Sequence, residues 1–258
     1  GYAALDAFTT GGSNTVVGTY AGSGLTTGGS NTFIGNQAGL SITDHSLNVA
    51  IGAICGRGGA GNYAWNVLIG ASTADRITGD YCVVIGGGAV GGLSATGANN
   101  VVMGFQAHGI SSGPGAAAQN VTIGFQAQFH SSGSNNVVIG YKAGMDNQAT
   151  GQTFIGYQAG TDVTTGTANT AIGYNALYVA TTAAYNTVIG YNAGDAITTS
   201  NYNTLVGANA GSSITTQQYN TLVGSYCGHG VNGGDGSNTA LGREALYYGG
   251  NSAGNVAV

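Results

Sequence analysis

Short apolar stretches that close on glycine recur along the whole chain, from Asn14-Thr15-Val16-Val17-Gly18 to Asn238-Thr239-Ala240-Leu241-Gly242. The closing glycines stand at 18, 35, 52, 70, 86, 104, 124, 140, 156, 173, 190, 207, 224 and 242, spaced by 16 to 20 residues with 17 the commonest value. Each stretch predicts one short strand, and a unit of this length cannot bury a core alone, so it must stack on its neighbours. The period predicts an all-β fold, a parallel β-solenoid (β-roll) of about fifteen rungs, running as a single elongated domain over 1–258. Gly1-Tyr2-Ala3-Ala4-Leu5 reads like Gly173-Tyr174-Asn175-Ala176-Leu177, and Asn255-Val256-Ala257-Val258 stops one residue short of the next glycine, so the chain reads as a window of a longer array.

Counting the Asn of each motif as the first position, the second is Thr or Val and the fourth almost always Ile or Val, as in Ile34, Ile51, Ile123, Ile189 and Val223. Residues two apart share a strand face, so these two positions predict the inner column of the coil. The third position then faces the other way, yet it is apolar as well: Val16, Phe33, Ala50, Leu68, Val84, Val102, Val138, Phe154, Ala171, Val188, Leu205, Leu222 and Ala240, with Thr122 the polar exception. A strand apolar on both faces is buried on both, and one thin coil covers only one. The third-position column therefore predicts an interface with further copies of the chain, and a parallel homotrimer is the closed arrangement that supplies it.

After each glycine comes a second short segment, as in Tyr141-Lys142-Ala143-Gly144, then a variable loop and often a Thr pair such as Thr164-Thr165 or Thr198-Thr199. Recurrent Gly predicts corners that need positive φ, and recurrent Asn predicts a stacked amide ladder. Length variation lies between these elements and is greatest over 108–119. Repeats of the form Asn-Thr-Ala-Ile-Gly-Tyr-Asn-Ala, found here at 169–176, resemble those of bacteriophage tail-fibre and related virion adhesin proteins. Their core is also similar to the Ser-Val-Ala-Ile-Gly repeat of trimeric autotransporter adhesin heads, although the period here is longer. The resemblance implies a left-handed parallel β-roll trimer and an adhesive or structural role.

Charge narrows the classes of function. The chain has 4 Lys and Arg against 9 Asp and Glu, for a net charge of −5, and 50 glycines beside 42% apolar residues. A basic footprint for nucleic acid is absent, and no apolar run is long enough to predict membrane insertion. A surface of Ser, Thr, Asn, Gln and Gly predicts an extracellular or virion setting. Cys55 and Cys227 occupy the slot that is Ala in most repeats and read either as small buried residues or as a cluster across subunits.

Candidate chemistry is sparse. The glycine-spaced stretches 86–91 and 228–233 open no helix, so no phosphate or other cofactor is expected. Asp146 and Asp162 share a phase in neighbouring rungs, the arrangement a glycan-cleaving spike would use, while Asp44-His45-Ser46 carries triad residue types without triad spacing. No His-x-His pair predicts a metal, and no enzyme is expected. Phe105, Phe125, Tyr141, Tyr157, Tyr174 and Tyr191 follow the glycine in six successive rungs, and Trp65, Tyr81, Tyr185, Tyr202 and Tyr219 precede the Asn. Such columns stabilise stacked rungs or offer ring faces to sugars. The Thr pairs raise ice binding as a minor reading. The sequon at Asn120 falls on a predicted core strand. Taken together the chain predicts a structural or adhesive fibre segment that displays weak sites in multiple copies to a cell-surface glycan or protein receptor. A bacterial surface adhesin head or an extracellular filament subunit is the alternative.

Overall fold

The computed structural model describes residues 1–57, 63–74, 79–91, 97–109, 117–248 and 252–258; Arg76, Pro114 and the 110–116 part of the longest loop lie outside them. All described regular structure is strand, and every pairing is parallel. The chain divides into two compact units, Gly1–Ser134 and Asn135–Val258. The first holds β1 (Thr15–Val17), β2 (Thr32–Ile34), β3 (Val49–Ile51), β4 (Val67–Ile69), β5 (Val83–Ile85), β6 (Val101–Met103) and β7 (Val121–Ile123). The second holds β8 (Val137–Ile139), β9 (Thr153–Ile155), β10 (Thr170–Ile172), β11 (Thr187–Ile189), β12 (Thr204–Val206), β13 (Thr221–Val223), β14 (Thr239–Leu241) and β15 (Val256–Ala257). Within each unit successive strands pair in register, second position on second and third on third, as in Thr170↔Thr187 and Ala171↔Val188. This is the β-solenoid that the 17-residue period predicts.

The faces of the strand are the reverse of the expected ones. Phe33, Ala50, Leu68, Val84, Val102, Val138, Phe154, Ala171, Val188, Leu205, Leu222 and Ala240 are buried inside the chain's own coil, and Val16 at the first rung is half-buried. They line the interior and are not an interface between copies. The second and fourth positions point outward instead and stay half-buried or exposed. Hydrophobicity does not decide between two apolar columns, and the Asn at position one goes inside with the third. It lies two residues from position three and so shares its face, and Asn31, Asn48, Asn169, Asn186, Asn203 and Asn220 are all buried.

The Asn ladder is present as expected. From Asn14 to Asn66 and from Asn169 to Asn255 the Asn side chain accepts from the backbone N–H and the amide of the Asn one rung on, as Asn186 Oδ1 does from Asn203 at 2.9 and 3.1 Å, while Asn100 Oδ1 accepts the Asn120 N–H at 2.9 Å. Cys82 and Gln152 take the Asn place in two rungs and keep the backbone bond to Asn66 and Asn136 at 2.8 Å. A buried polar column costs stability unless each group is paired, and the in-register repeat supplies that partner along the two Asn runs.

Hydrogen bonding from rung to rung continues past the strand. Gln158 N–H donates to Tyr141 O at 2.9 Å, and Gly160 N–H to Ala176 O at 2.9 Å. These bonds hold the corner in alternate positive φ, with Lys142 at 52° and Gly144 at 50°. Non-glycine residues tolerate that conformation at a cost of about 1 kcal/mol each, which the ladder offsets. The second corner slot also adapts to the core. Gly144 and Gly160 flank the Phe154 ring, and Gly194 and Gly211 flank Leu205. Where the third position shrinks to Ala171, Leu177 takes the slot at φ 54° and fills the interior.

Candidate functional site

The post-glycine aromatics form the column expected of them. In the second unit Tyr141, Tyr157, Tyr174 and Tyr191 stack with centroids 5.0, 4.7 and 5.3 Å apart and planes within 17°. In the first, Phe105 stacks on Phe125 at 5.8 Å. The second column is also real, with Tyr185, Tyr202 and Tyr219 at 5.1 and 5.3 Å and Trp65 on Tyr81 at 6.4 Å. Stacking of this kind takes up the ring faces, the surface a sugar ring would pack on. What the column interior presents outward is ring edge and phenol hydroxyl, so these residues serve cohesion between rungs and are not a continuous glycan groove.

Both columns border the outward strand face. In the β11 rung, Thr187 and Ile189 lie two apart on the strand and project to the same side, with Tyr185 at the bend before the strand and Tyr191 at the turn after it. Over β9 to β14 the second position is Thr in six successive rungs, from Thr153 to Thr239, and the fourth is Ile155, Ile172, Ile189, Val206, Val223 and Leu241. The result in the second unit is an uncharged Thr and aliphatic strip, half-buried to exposed and repeating at every rung. The Thr pairs are a separate set. Thr26, Thr164, Thr181 and Thr198 donate their hydroxyls to carbonyls of the next rung at 2.8 to 3.3 Å, which spends the protons an ice-ordering array would need.

The other candidates separate. Asp146 and Asp162 lie in neighbouring rungs, half-buried, and the Asp162 carboxyl is raised above its usual range by burial first and by the Asp146 charge second. His45 Nδ1 lies 3.1 Å from Asp44 Oδ1 and its ring stacks on Tyr63 at 5.6 Å. Ser46 Oγ is turned away to accept from Gly29 N–H at 2.9 Å, so the three residues form no relay. The three cysteines are buried and unbridged. The Cys55 thiol donates to Leu68 O at 3.3 Å, and burial pushes its pKa up to about 12. That is an inert packing residue, out of reach of any other copy. Asn120 of the sequon is buried with its amide on Gly133 O at 3.1 Å, so no glycan can reach it.

A polar cluster went unread in the sequence. Thr122, the polar third position, donates to Gln128 Oε1 at 2.6 Å, and Gln128 lies beside buried His108 of the rung before. Gln128 and His108 stand in the corner slot that glycine or an apolar residue fills elsewhere, at φ 50° each. Three polar side chains thus replace an apolar filling together, a signal visible only once the slot is known. Burial lowers the His108 pKa from 6.5 to about 4. The folded protein therefore binds the proton less readily than the unfolded chain. Stability is full above pH 6.5 and falls as pH drops from 6.5 toward 4, by up to about 3 kcal/mol at 1.36 kcal/mol per pH unit. Urea unfolding at pH 7 and pH 4 is expected to show that loss, and His108→Asn, which keeps a residue tolerant of positive φ, is expected to flatten it.

Comparison with protein-family models, curated protein sequences and solved structures finds no match.

Proposed function

We propose that this chain is a structural and adhesive segment of an extracellular or virion fibre, assembled from parallel copies of itself, a homotrimer being the closed form. The observation that carries this reading is the outward Thr or Val and Ile or Val strip. A regular apolar strip left in water is an association surface, and its partner must match it rung for rung. A second copy has the same rung spacing, about 4.8 Å, and the strip carries no charge to oppose it. The interface so placed uses the second and fourth positions.

The role follows from the physics of the coil. Within each unit two ladders, one of backbone bonds and one of Asn amides, cross-link successive rungs, which makes a stiff segment resistant to local opening. Copies held in register present the same loop edges several times, so weak contacts with a receptor add up. Light scattering is expected to give three times the 25.3 kDa chain mass. Ile172→Lys with Ile189→Lys, on the half-buried outer face, is expected to yield a folded monomer. A wild-type monomer at micromolar concentration overturns the assembly.

The six-rung Thr column from Thr153 to Thr239 favours one other commensurate partner, the ice lattice, since a flat uncharged array of Thr and aliphatic side chains orders water. Thermal hysteresis lost on Thr187→Lys would favour that reading over self-assembly.

A further inference from the structure

The late rungs of the second unit carry a site unlike the rest of the coil. The loop segment after the post-glycine turn places Ser213, His229, Gly230, Tyr247 and Tyr248 in successive rungs, and with Asn232 they line a cleft of about 530 Å³. His229 stacks on Tyr247 at 4.8 Å with planes 8° apart, which takes one face of the Tyr247 ring. Tyr248 stands at 78° to Tyr247, centroids 4.8 Å apart, and is 91% exposed. Two rings at a right angle form a corner with an open face, whereas in the aromatic columns each ring covers the next. Arg243 and Glu244 beside it are paired at 2.7 Å, which leaves the neighbourhood without a free cation from that pair.

We infer that this cleft is a binding subsite for one pyranose ring of a neutral glycan. A pyranose has an apolar face of C–H groups ringed by hydroxyls. The face packs on a flat aromatic ring, and the hydroxyls need nearby donors and acceptors. Tyr248 supplies the ring, at a position where its exposure serves no packing purpose, and Tyr247 supplies a wall. Ser213 and Asn232 supply a hydroxyl and an amide at the edge, which pair with sugar hydroxyls in either direction. An open, shallow cleft with few polar groups gives weak affinity, the kind that several copies on one fibre multiply. The Arg243–Glu244 pair bordering the adjoining hollow has no net charge and so does not select an anionic ligand over a neutral one. The inference rests on the adhesive part of the reading above and names its ligand class.

The test is saturation-transfer NMR on the full chain with the methyl glycosides of glucose, galactose and mannose and with N-acetylglucosamine, each at millimolar concentration. At least one is expected to bind. Tyr248→Ala is expected to weaken it at least about fivefold, the worth of a stacked ring, with melting unchanged because the side chain is in water. Tyr248→Phe is expected to keep the affinity, and Tyr157→Ala in the column to leave it unaltered. Failure of all four sugars to bind the wild-type chain, or binding indifferent to Tyr248→Ala, overturns the inference. Light scattering on the same samples separates the two ideas. Sugar binding by a monomer removes the fibre assembly alone, and a trimer that ignores all four sugars removes the subsite alone.

Discussion

Gly207→Ala is expected to cost on the order of 3–5 kcal/mol and to break the second unit at the β12–β13 step. Gly207 has φ 136°, a region in which a side chain is strained before any neighbour is considered. A methyl group there would also lie 2.5 Å from both the carbonyl carbon and oxygen of Gly224 and 2.9 Å from Ser225 N. Those atoms are backbone, held by the Gly224 N–H bond to Val206 O at 2.7 Å, so they cannot move aside without opening the ladder. Two controls separate strain from collision. Gly151 has φ 73° with nothing near its added Cβ, so Gly151→Ala should cost about 1 kcal/mol. Gly12 has open space and no positive φ, so Gly12→Ala should stay within about 0.5 kcal/mol of wild type. Circular dichroism melting orders the three, and hydrogen exchange should show lost protection around Gly207 and Gly224. Equal melting of Gly207→Ala and wild type would sink the steric argument.

Asn186→Ala is expected to cost about 3–4 kcal/mol, from one orphaned buried donor at about 1–3 kcal/mol plus the remaining lost bonds. Asn186 donates to Asn169 Oδ1 at 3.1 Å and Ser200 O at 2.8 Å, and accepts from the Asn203 N–H at 2.9 Å. Truncation leaves that N–H without its acceptor in a site water does not reach. Asn186→Asp restores the acceptor but buries a carboxylate beside the Asn169 Oδ1 and Ser200 O acceptors, so it should be no better. Asn186→Gln is the discriminating variant, because Gln152 already holds this place in the β9 rung and accepts from Asn169 N–H at 2.9 Å. Recovery of at least half the loss is expected by urea unfolding. If Ala and Gln are equally poor, side-chain shape matters more than the amide.

The aromatic columns were legible because one residue type recurs at one phase, and in-register stacking brings such residues within ring distance. Their consequence was not. A list of tyrosines does not say whether the rings lie face to face or stand apart, and the spacing of rungs, close to the thickness of stacked rings, closes the faces that a sugar would have used. Tyr247 and Tyr248 drew no notice because they fall outside both phases; adjacent tyrosines in a loop look like ordinary surface until the fold sets them at a right angle over Asn232.

By itself the sequence determined the solenoid, its period, the parallel in-register strands, the Asn ladder and the glycine corners. Each follows from repetition, since a group that recurs at one phase must meet its own kind in the next rung. Only the tertiary structure decided which face of the strand lies inside. Both columns are apolar, and the two-residue alternation of a strand carries parity but no sign. The sign comes from closure of the coil, which turns the Asn amide and the third position into the interior, together with the buried Ala of the corner, and leaves Thr and Ile facing out.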